Sequence, residues 1–540
     1  MPPFINIFQF TRTKNSAFLL VPMLLTFMLG IMIFSTWHKN LSFDEPHNLR
    51  YGYDVLTKGP LAETDGQRMP VFALNALACQ SYGCRYEKYT DQPWRLFGIR
   101  LPSMLFTLAL GFLVWYWCRR LYGNNAALGA LFLYVFNPNF IAHGKEVTSD
   151  AMTSFWVVLT VFLFWKWRES NKERFVYFTA LSLGIAIVTK FSSILLFGIL
   201  PLILIAQKLW ARDFSITLKG TLNTVKQIGL SLLLIWLVIN SAYLFKGSFE
   251  SSRSFAWQSD FYQKIAAKAE FPIPLPRIFV RGLDYSHLIS EHPEYGRGNN
   301  YILGQRHRKG RDFAFPVMIL LKTPLAFFFL LFTALAVWKR KDSSLSKEMP
   351  GPYLWIPFGV WLVFFSSICD IQVGIRYILP GYIFLIIFVS KAFQSMGTKL
   401  KAAAICALSF WYALSSLSYG PHTMSYFNEL IGDRINAYKY LADSNLDWED
   451  KTYYIKKWEA DHPGIKYMTH PEALRDPQPG FFLMPANFYV GVFDEDKYRW
   501  MRDFKPLAHV THSHYLLYIG AEELAEALKK NPIPGKQNAS

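Results

Sequence analysis

Apolar stretches of about 17 to 25 residues recur along the first 417 positions, each closed by a short polar or basic run. As a helix, each is long enough to cross a hydrocarbon core roughly 30 Å thick. The pattern predicts about eleven membrane helices, at residues 17–37, 97–118, 126–141, 151–167, 175–188, 191–209, 227–245, 313–338, 353–369, 377–393 and 402–417. The first stretch has no small-residue cleavage site and is too long for a signal-peptide core, so it is expected to remain as an anchor. Three polar stretches stand apart from this pattern: residues 38–96, 246–312 and 419–540. In the last, "HYLLYIG" alternates as a strand does, "AEELAEALKK" has helical propensity, and "NPIPGKQNAS" reads as a frayed end. The expected architecture is a polytopic α-helical body over residues 1–418, with amphipathic helices in its loops, followed by a small α/β domain over residues 419–540.

Composition agrees with a membrane protein. A hydrophobic fraction of 52% and an aromatic fraction of 17% are high for a soluble chain. The net charge of +17 comes from short clusters between apolar runs, not from one stripe or tail, which argues against nucleic acid as a partner. The clusters fall in alternate loops: Arg12 and Lys14, Arg119 and Arg120, "KWRESNKER", Lys208 to Lys226, "KRKDSSLSK" from Lys339, and Lys391 to Lys401. Because cytoplasmic loops retain Lys and Arg, the N-terminus is expected inside and the tail outside. Cys79 and Cys84 then share an outer loop, where they either form a short-loop disulfide or remain two thiols on a loop helix.

Unusual polar residues gather on the outer side. "SFDEPHN" after the first span presents Asp44, Glu45 and His47, and "NPNFIAHGKEVTSDAM" presents His143, Lys145, Glu146 and Asp150. Carboxylates at such depth are costly unless paired or used. Capping is the competing explanation for Asp44 and Asp150, each of which precedes a candidate helix. Adjacent helical residues point about 100° apart, so one of Asp44 and Glu45 is expected to face the chemistry and the other to hold the loop. His143, Glu146 and Asp150 have loose metal-ligand character without a zinc spacing, leaving a divalent metal as an option. Lys190, Lys322 and Arg376 fall at the same membrane edge; their alternative is snorkelling to headgroups, but together they point to an anionic ligand.

A polyprenyl-phosphate sugar suits this arrangement. Its tail lies in lipid, its phosphate meets cations at the interface, and its sugar projects outward. A carboxylate takes the proton of an acceptor hydroxyl while the cations stabilise the leaving phosphate. His47, His143 and Glu146 are the candidates for sugar or acceptor contacts. The competing classes are a flippase for lipid-linked sugars, which would place charges at the midplane and show repeated halves, and an envelope-assembly scaffold.

The segments "FDEPHNLRYG", "AHGKEVTSDAMTSFW", "VTKFSSILLFGILP", "IQVGIRYILP", "MSYFNEL" and "YKYLADSNLDWED", in this order, resemble the family 39 glycosyltransferases of the GT-C superfamily, relatives of protein O-mannosyltransferases and of the aminoarabinose transferase. The resemblance implies an inverting transferase in a bacterial inner membrane, using a polyprenyl-phosphate donor and an acceptor that is a protein, a lipid or a glycan. It implies Asp44 as base, Asp150 as the second acidic residue, and Arg376 with Lys190 at the donor phosphate. The chain departs from the family pattern at Glu449, where a small residue is expected, and in "KGRDFAFP", which lacks an aromatic pair. Both departures bear on donor or acceptor specificity.

Overall fold

The computed structural model describes residues 14–59, 69–81, 83–84, 93–212, 218–292, 300–338, 349–467, 477–493 and 496–533. Every one of the expected spans is helical. Seven helices among the described residues are long and apolar enough to cross a membrane: Leu19–Thr36, Trp94–Tyr122, Phe191–Ala211, Leu222–Ala242, Pro350–Ile368, Ile375–Ser395 and Lys399–Leu417. A bent pair, Ala314–Lys322 with Leu325–Ala336, makes eight. Asn124–Val135 and Arg174–Thr189 are apolar but shorter, and Asp150–Ser170 carries charges at both ends. These apolar helices make the chain an integral membrane protein.

Two expected spans are broken. Residues 126–141 form no single helix: Asn124–Val135 stops, the Asn137 side chain accepts a hydrogen bond from Asn139 N, and a new helix runs from Pro138 to His143. Proline at the first helical position cannot continue the preceding helix but starts the next one well. Residues 313–338 bend by 106° between Lys322 and Leu325, at Thr323–Pro324. The preference of a pre-proline residue for extended backbone explains the break, and Thr323 has φ −115°, ψ 132°.

The helix Ile375–Ser395 is the hub. Its apolar window is 89% buried within the protein, against 17% for Leu222–Ala242 and 22% for Lys399–Leu417, which leave their side chains to lipid. Trp117 packs edge-on against its Phe384, and Trp165 packs in turn against Trp117. Arg376 lies in its first turn, so this cation is carried by the element with least freedom to move.

At the end of the bundle where the first helix emerges, Glu45–Lys58 and Phe72–Ala76 fold together over Leu49, Tyr51 and Leu96. Cys79 and Cys84 form a disulfide there. The second polar stretch holds the helices Asp260–Lys268 and Arg277–Glu291 and the hairpin Asn300–Ile302 with Gln305–His307. The tail contains a four-stranded sheet ordered Lys466–Tyr467, Gly480–Pro485, His514–Ile519, Ala508–Val510, parallel in its first pair and antiparallel elsewhere. The strand expected at "HYLLYIG" and the helix expected at "AEELAEALKK" are His514–Ile519 and Ala521–Lys530. Phe482, Trp500 and Tyr515 of the tail join the same buried cluster as Tyr382 and Phe384 of the hub helix, so the tail is packed onto the helical body through its core. The expected basic loop from Lys339 and the frayed end beyond residue 533 lie outside the described residues.

The pairing makes a direct chemical prediction. Of five cysteines, three are free thiols, Cys118, Cys369 and Cys406. Alkylation of the unfolded, unreduced protein should label three cysteines by mass spectrometry and reduction should raise this to five.

Candidate active site

Asp44 and Glu45 part company, as adjacent residues at a helix start must. Asp44 sits in the N-cap position of Glu45–Lys58 but makes no side-chain capping bond; its Oδ2 accepts from Arg376 Nη1 at 2.9 Å. Capping is therefore not what this carboxylate does. Glu45 turns the other way and is fully buried. Its Oε1 accepts from Arg100 Nε at 2.8 Å and from Val147 N at 2.8 Å, and its Oε2 accepts from Arg100 Nη2 at 2.6 Å and from Ser42 N at 2.7 Å.

Asp150 opens the helix Asp150–Ser170, whose N-cap is Ser149, and again the carboxylate is not a cap. Its Oδ1 accepts from Lys190 Nζ at 2.6 Å, while its Oδ2 lies 3.9 Å from Arg376 Nη1 and has no hydrogen-bond partner. Lys190 reaches it because the preceding helix ends at Thr189 and the backbone turns extended at φ −159°. The four residues Asp44, Asp150, Lys190 and Arg376 thus form one constellation of two carboxylates and two cations. Asp44 is the more open carboxylate, with 34% of its side chain exposed against 3% for Asp150. The Arg376 guanidinium lies 4.2 Å over the Trp448 ring and 5.2 Å over that of Tyr377, and Lys190 lies 5.0 Å over the same tyrosine. Arg376 Nε and His143 Nδ1 are also buried, and like Asp150 Oδ2 they have no hydrogen-bond partner among the described residues. Unsatisfied polar atoms on three neighbouring residues mark a place where a polar ligand would restore hydrogen bonds.

The other sequence candidates are placed differently. Glu146 belongs to the layer behind: it accepts from Arg100 Nη2 at 2.7 Å and pairs with Lys145. His143 is buried edge-on against Trp448, with ring centroids 5.9 Å apart. His47 is exposed on the first turn of its helix. Lys322 is almost fully buried and donates to Met424 O at 2.7 Å and Asn445 O at 2.5 Å, with its charge 4.7 Å over Phe427. It holds backbone together at the 106° break and is not among the four. His143, Glu146 and Asp150 do not converge on one point. Among the described residues, the side chains placed to hold an ion are Asp260, Glu291 and His292, where Glu291 is already engaged with the backbone of Asp260 and Phe261.

Electrostatics follows from the burial. Burial works to neutralise Glu45, but Arg100 and the two backbone N–H groups hold its carboxyl below the usual value. Glu146 is buried beside Glu45, and sharing Arg100 and Lys145 does not make up for that, so its carboxyl is pushed up to about 7. Burial likewise opposes the charge on Asp150, and Lys190 followed by Arg376 overcomes it, leaving the carboxyl below its ordinary range. Burial lowers His143 to about 3, which keeps the imidazole neutral.

Arg100, Lys39 with Asp450, and Trp448 are the residues that sequence reasoning passed over. Arg100 carried a signal, an ionisable residue within an apolar span. Lys39 Nζ donates to Asp450 Oδ2 at 2.8 Å across 411 positions of sequence, a separation that no local pattern reports.

Arg100→Met should cost about 3–5 kcal/mol of stability, because it leaves Glu45 and Glu146 facing each other without their shared cation. Thermal unfolding of the detergent-solubilised protein reads this loss. A second outcome follows from the sign of the Asp150 shift. A depressed carboxyl contributes stability that is complete above its unfolded value of 3.8 and is lost as the pH falls through the lower folded value. Lys190→Met should therefore destabilise most at neutral pH, with the gap to the unaltered protein closing below about pH 4 in acid-unfolding curves.

Residues 94–239 match the family model described as dolichyl-phosphate-mannose-protein mannosyltransferase. No curated protein sequence matches the chain. Among solved structures, ArnT from Cupriavidus metallidurans bound to undecaprenyl phosphate is 13% identical with a TM-score of 0.50, over 93% of this chain and 98% of that one. The apo state of the same protein is 11% identical with a TM-score of 0.45, over 94% and 99%. The archaeal oligosaccharyltransferase AglB from Archaeoglobus fulgidus is 12% identical with a TM-score of 0.46, over 79% of this chain and 57% of that one. The matched stretch holds Arg100, His143, Glu146, Asp150 and Lys190. Residues 94–239 thus carry the pattern of the dolichyl-phosphate-mannose-protein mannosyltransferase family, within a chain that shares its fold with ArnT from Cupriavidus metallidurans.

Proposed function

We propose that this protein is an inverting glycosyltransferase that moves one sugar from a polyprenyl-phosphate donor to an acceptor hydroxyl or amine on the outer face of the membrane. The observation that carries the proposal is the meeting of Asp44, Asp150, Lys190 and Arg376 at the end of the bundle where the polar loops collect. The family match over residues 94–239 supports the reaction class, and a chain of the same fold, ArnT, is a protein that binds undecaprenyl phosphate.

In this reading the donor phosphate takes a place on Arg376 and Lys190. Arginine suits phosphate because its planar fork can donate two parallel hydrogen bonds, and Nε of Arg376 has no partner among the described residues. As phosphate oxygens replace the Asp44 carboxylate on Arg376, that carboxylate is released to face the acceptor group. It then accepts the proton of the acceptor group, whose oxygen or nitrogen forms a bond to the anomeric carbon from the face opposite the phosphate. The bond from that carbon to the phosphate oxygen breaks, its electron pair leaves with the lipid phosphate, and the added negative charge is met by Arg376 and Lys190. Asp150 holds Lys190 at the site and does not take the proton. Glu45 is the support beneath Asp44, and Lys322 supports the loop behind Arg376. Basic loops on the opposite side give the orientation, with the N-terminus cytoplasmic in a bacterial inner membrane and residues 419–540 outside.

Asp44→Asn should leave the protein folded in the membrane and abolish transfer, because an amide does not accept the proton. Mass spectrometry of envelope lipids, glycans and proteins is the measurement. Cells with Asp44→Asn should lose the same mass increment as cells without the protein, at equal protein level; retention of the increment would remove Asp44 as the base.

A further inference from the structure

The segment "DSNLDWED", residues 443–450, lies far along the chain from both Asp44 and Arg376, yet it is bonded to the backbone beside each. On one side, Phe43 N donates to Trp448 O at 3.1 Å and Asn40 N donates to Asp450 O at 3.0 Å. On the other, Ile375 N donates to Asn445 Oδ1 at 3.0 Å, and Ser444 Oγ donates to Val373 O at 3.0 Å. Phe43 immediately precedes Asp44 and Ile375 immediately precedes Arg376. Two residues three positions apart on one short segment, Asn445 and Trp448, therefore hold the backbones that carry the acid and the cation.

The segment is itself anchored from below. Lys322 Nζ donates to Asn445 O, Lys451 Nζ to Leu446 O at 3.2 Å, and Asn487 Nδ2 to Asp447 O at 3.0 Å. Two buried lysines spent on backbone carbonyls are an unusual outlay for a loop with no role, since each ammonium leaves water to make those bonds. Left-handed backbone at Asp443 (φ 55°) and Glu449 (φ 66°) bounds the stretch. This conformation costs a non-glycine residue about 1–2 kcal/mol and gives a physical reason for the small residue expected at position 449.

Trp448 adds the second half. The residue is 5% exposed, and the Arg376 guanidinium carbon lies over its ring, 4.2 Å from the centroid. Arg376 has one hydrogen bond to a side chain, through Nη1 to Asp44, and that bond must open for phosphate to enter. What keeps the guanidinium plane aimed at the site during the exchange is the stack on the indole, which does not compete with an anion for the N–H groups.

From these contacts we infer that residues 443–451 are a strap that sets the spacing between Asp44 and Arg376, with Trp448 as the positioning residue that orients the Arg376 guanidinium for the donor phosphate. The inference rests on the reading of Arg376 as the phosphate-binding cation. It adds a role for a part of the tail in a site otherwise built from the helical body.

Binding of undecaprenyl phosphate to the full chain in nanodiscs, titrated by native mass spectrometry, tests it alongside the thermal midpoint of each variant. Trp448→Leu should weaken binding about tenfold, and Trp448→Phe, which keeps an aromatic face, should stay within about threefold of the unaltered protein. In an Arg376→Gln background, Trp448→Leu should add no further loss, since the ring acts through that guanidinium. Asn445→Ala, which removes the bond to Ile375 N without touching the ring, should also weaken binding and serves if Trp448→Leu does not fold. An equal loss from Trp448→Leu with and without Arg376 would make the tryptophan a mere core residue and overturn the inference. So would wild-type affinity in Trp448→Leu or in Asn445→Ala while Arg376→Gln binds weakly. Wild-type affinity in Arg376→Gln would overturn the phosphate reading and the inference with it.

Discussion

Arg100, buried to zero exposure and clasped by two carboxylates, is the interaction on which the site depends. A guanidinium inside a helical bundle cannot shed its proton, so it must be surrounded by acceptors or expelled. Here the acceptors are Glu45 and the carbonyl of Asn40 from the first loop and Glu146 from the second, so two separate loops are drawn to one planar group. Removing water from this cluster is costly, and the four hydrogen bonds donated by Nε and Nη2 of Arg100 offset part of that cost. The cluster also has geometric consequences. Once Glu45 is committed to Arg100, Asp44 is left to meet Arg376, and once Glu146 is committed, the following turn brings Asp150 to Lys190 and within 3.9 Å of Arg376.

The constellation that results balances charge locally. Two carboxylates face two cations, so the four charges balance within the cluster, and yet the partners are unequal. Asp150 is sequestered and held ionised by Lys190, whereas Asp44 is open and shares its cation with a position that a phosphate would want. Two acidic residues of the same type thereby acquire different surroundings from burial and neighbours alone, one sequestered and one open.

The broken helices serve the same end. At Asn137–Pro138 and at Thr323–Pro324 the chain turns within the apolar body, where freed backbone groups need partners. Asn139 Nδ2 donates to Lys322 O at 2.8 Å, joining the two breaks, and Lys322 passes the connection to the segment that carries Trp448. Irregular backbone inside the bundle is thus paired group by group, and each pairing bears on the position of Arg376 or of the His143–Asp150 loop.

Much of the helical body was legible in the sequence, because a hydrocarbon core imposes length and composition on whatever crosses it, and this constraint is local. The same locality made Asp44, Asp150, Lys190 and Arg376 conspicuous, since ionisable residues at apolar boundaries require a reason to be there. What the sequence did not show is surroundings that are long-range: the tail's carbonyls that close over Lys322, the Trp448 ring against His143, the Arg100 guanidinium on Glu146, and the place of Trp448 itself beside Arg376. By itself the sequence determined which segments are apolar helices and which charged side chains stand at their ends. Only the tertiary structure decided which of those charges meet, because a buried ion pair is defined by its partner's position in space, and Asp44 finds Arg376 from 332 residues away.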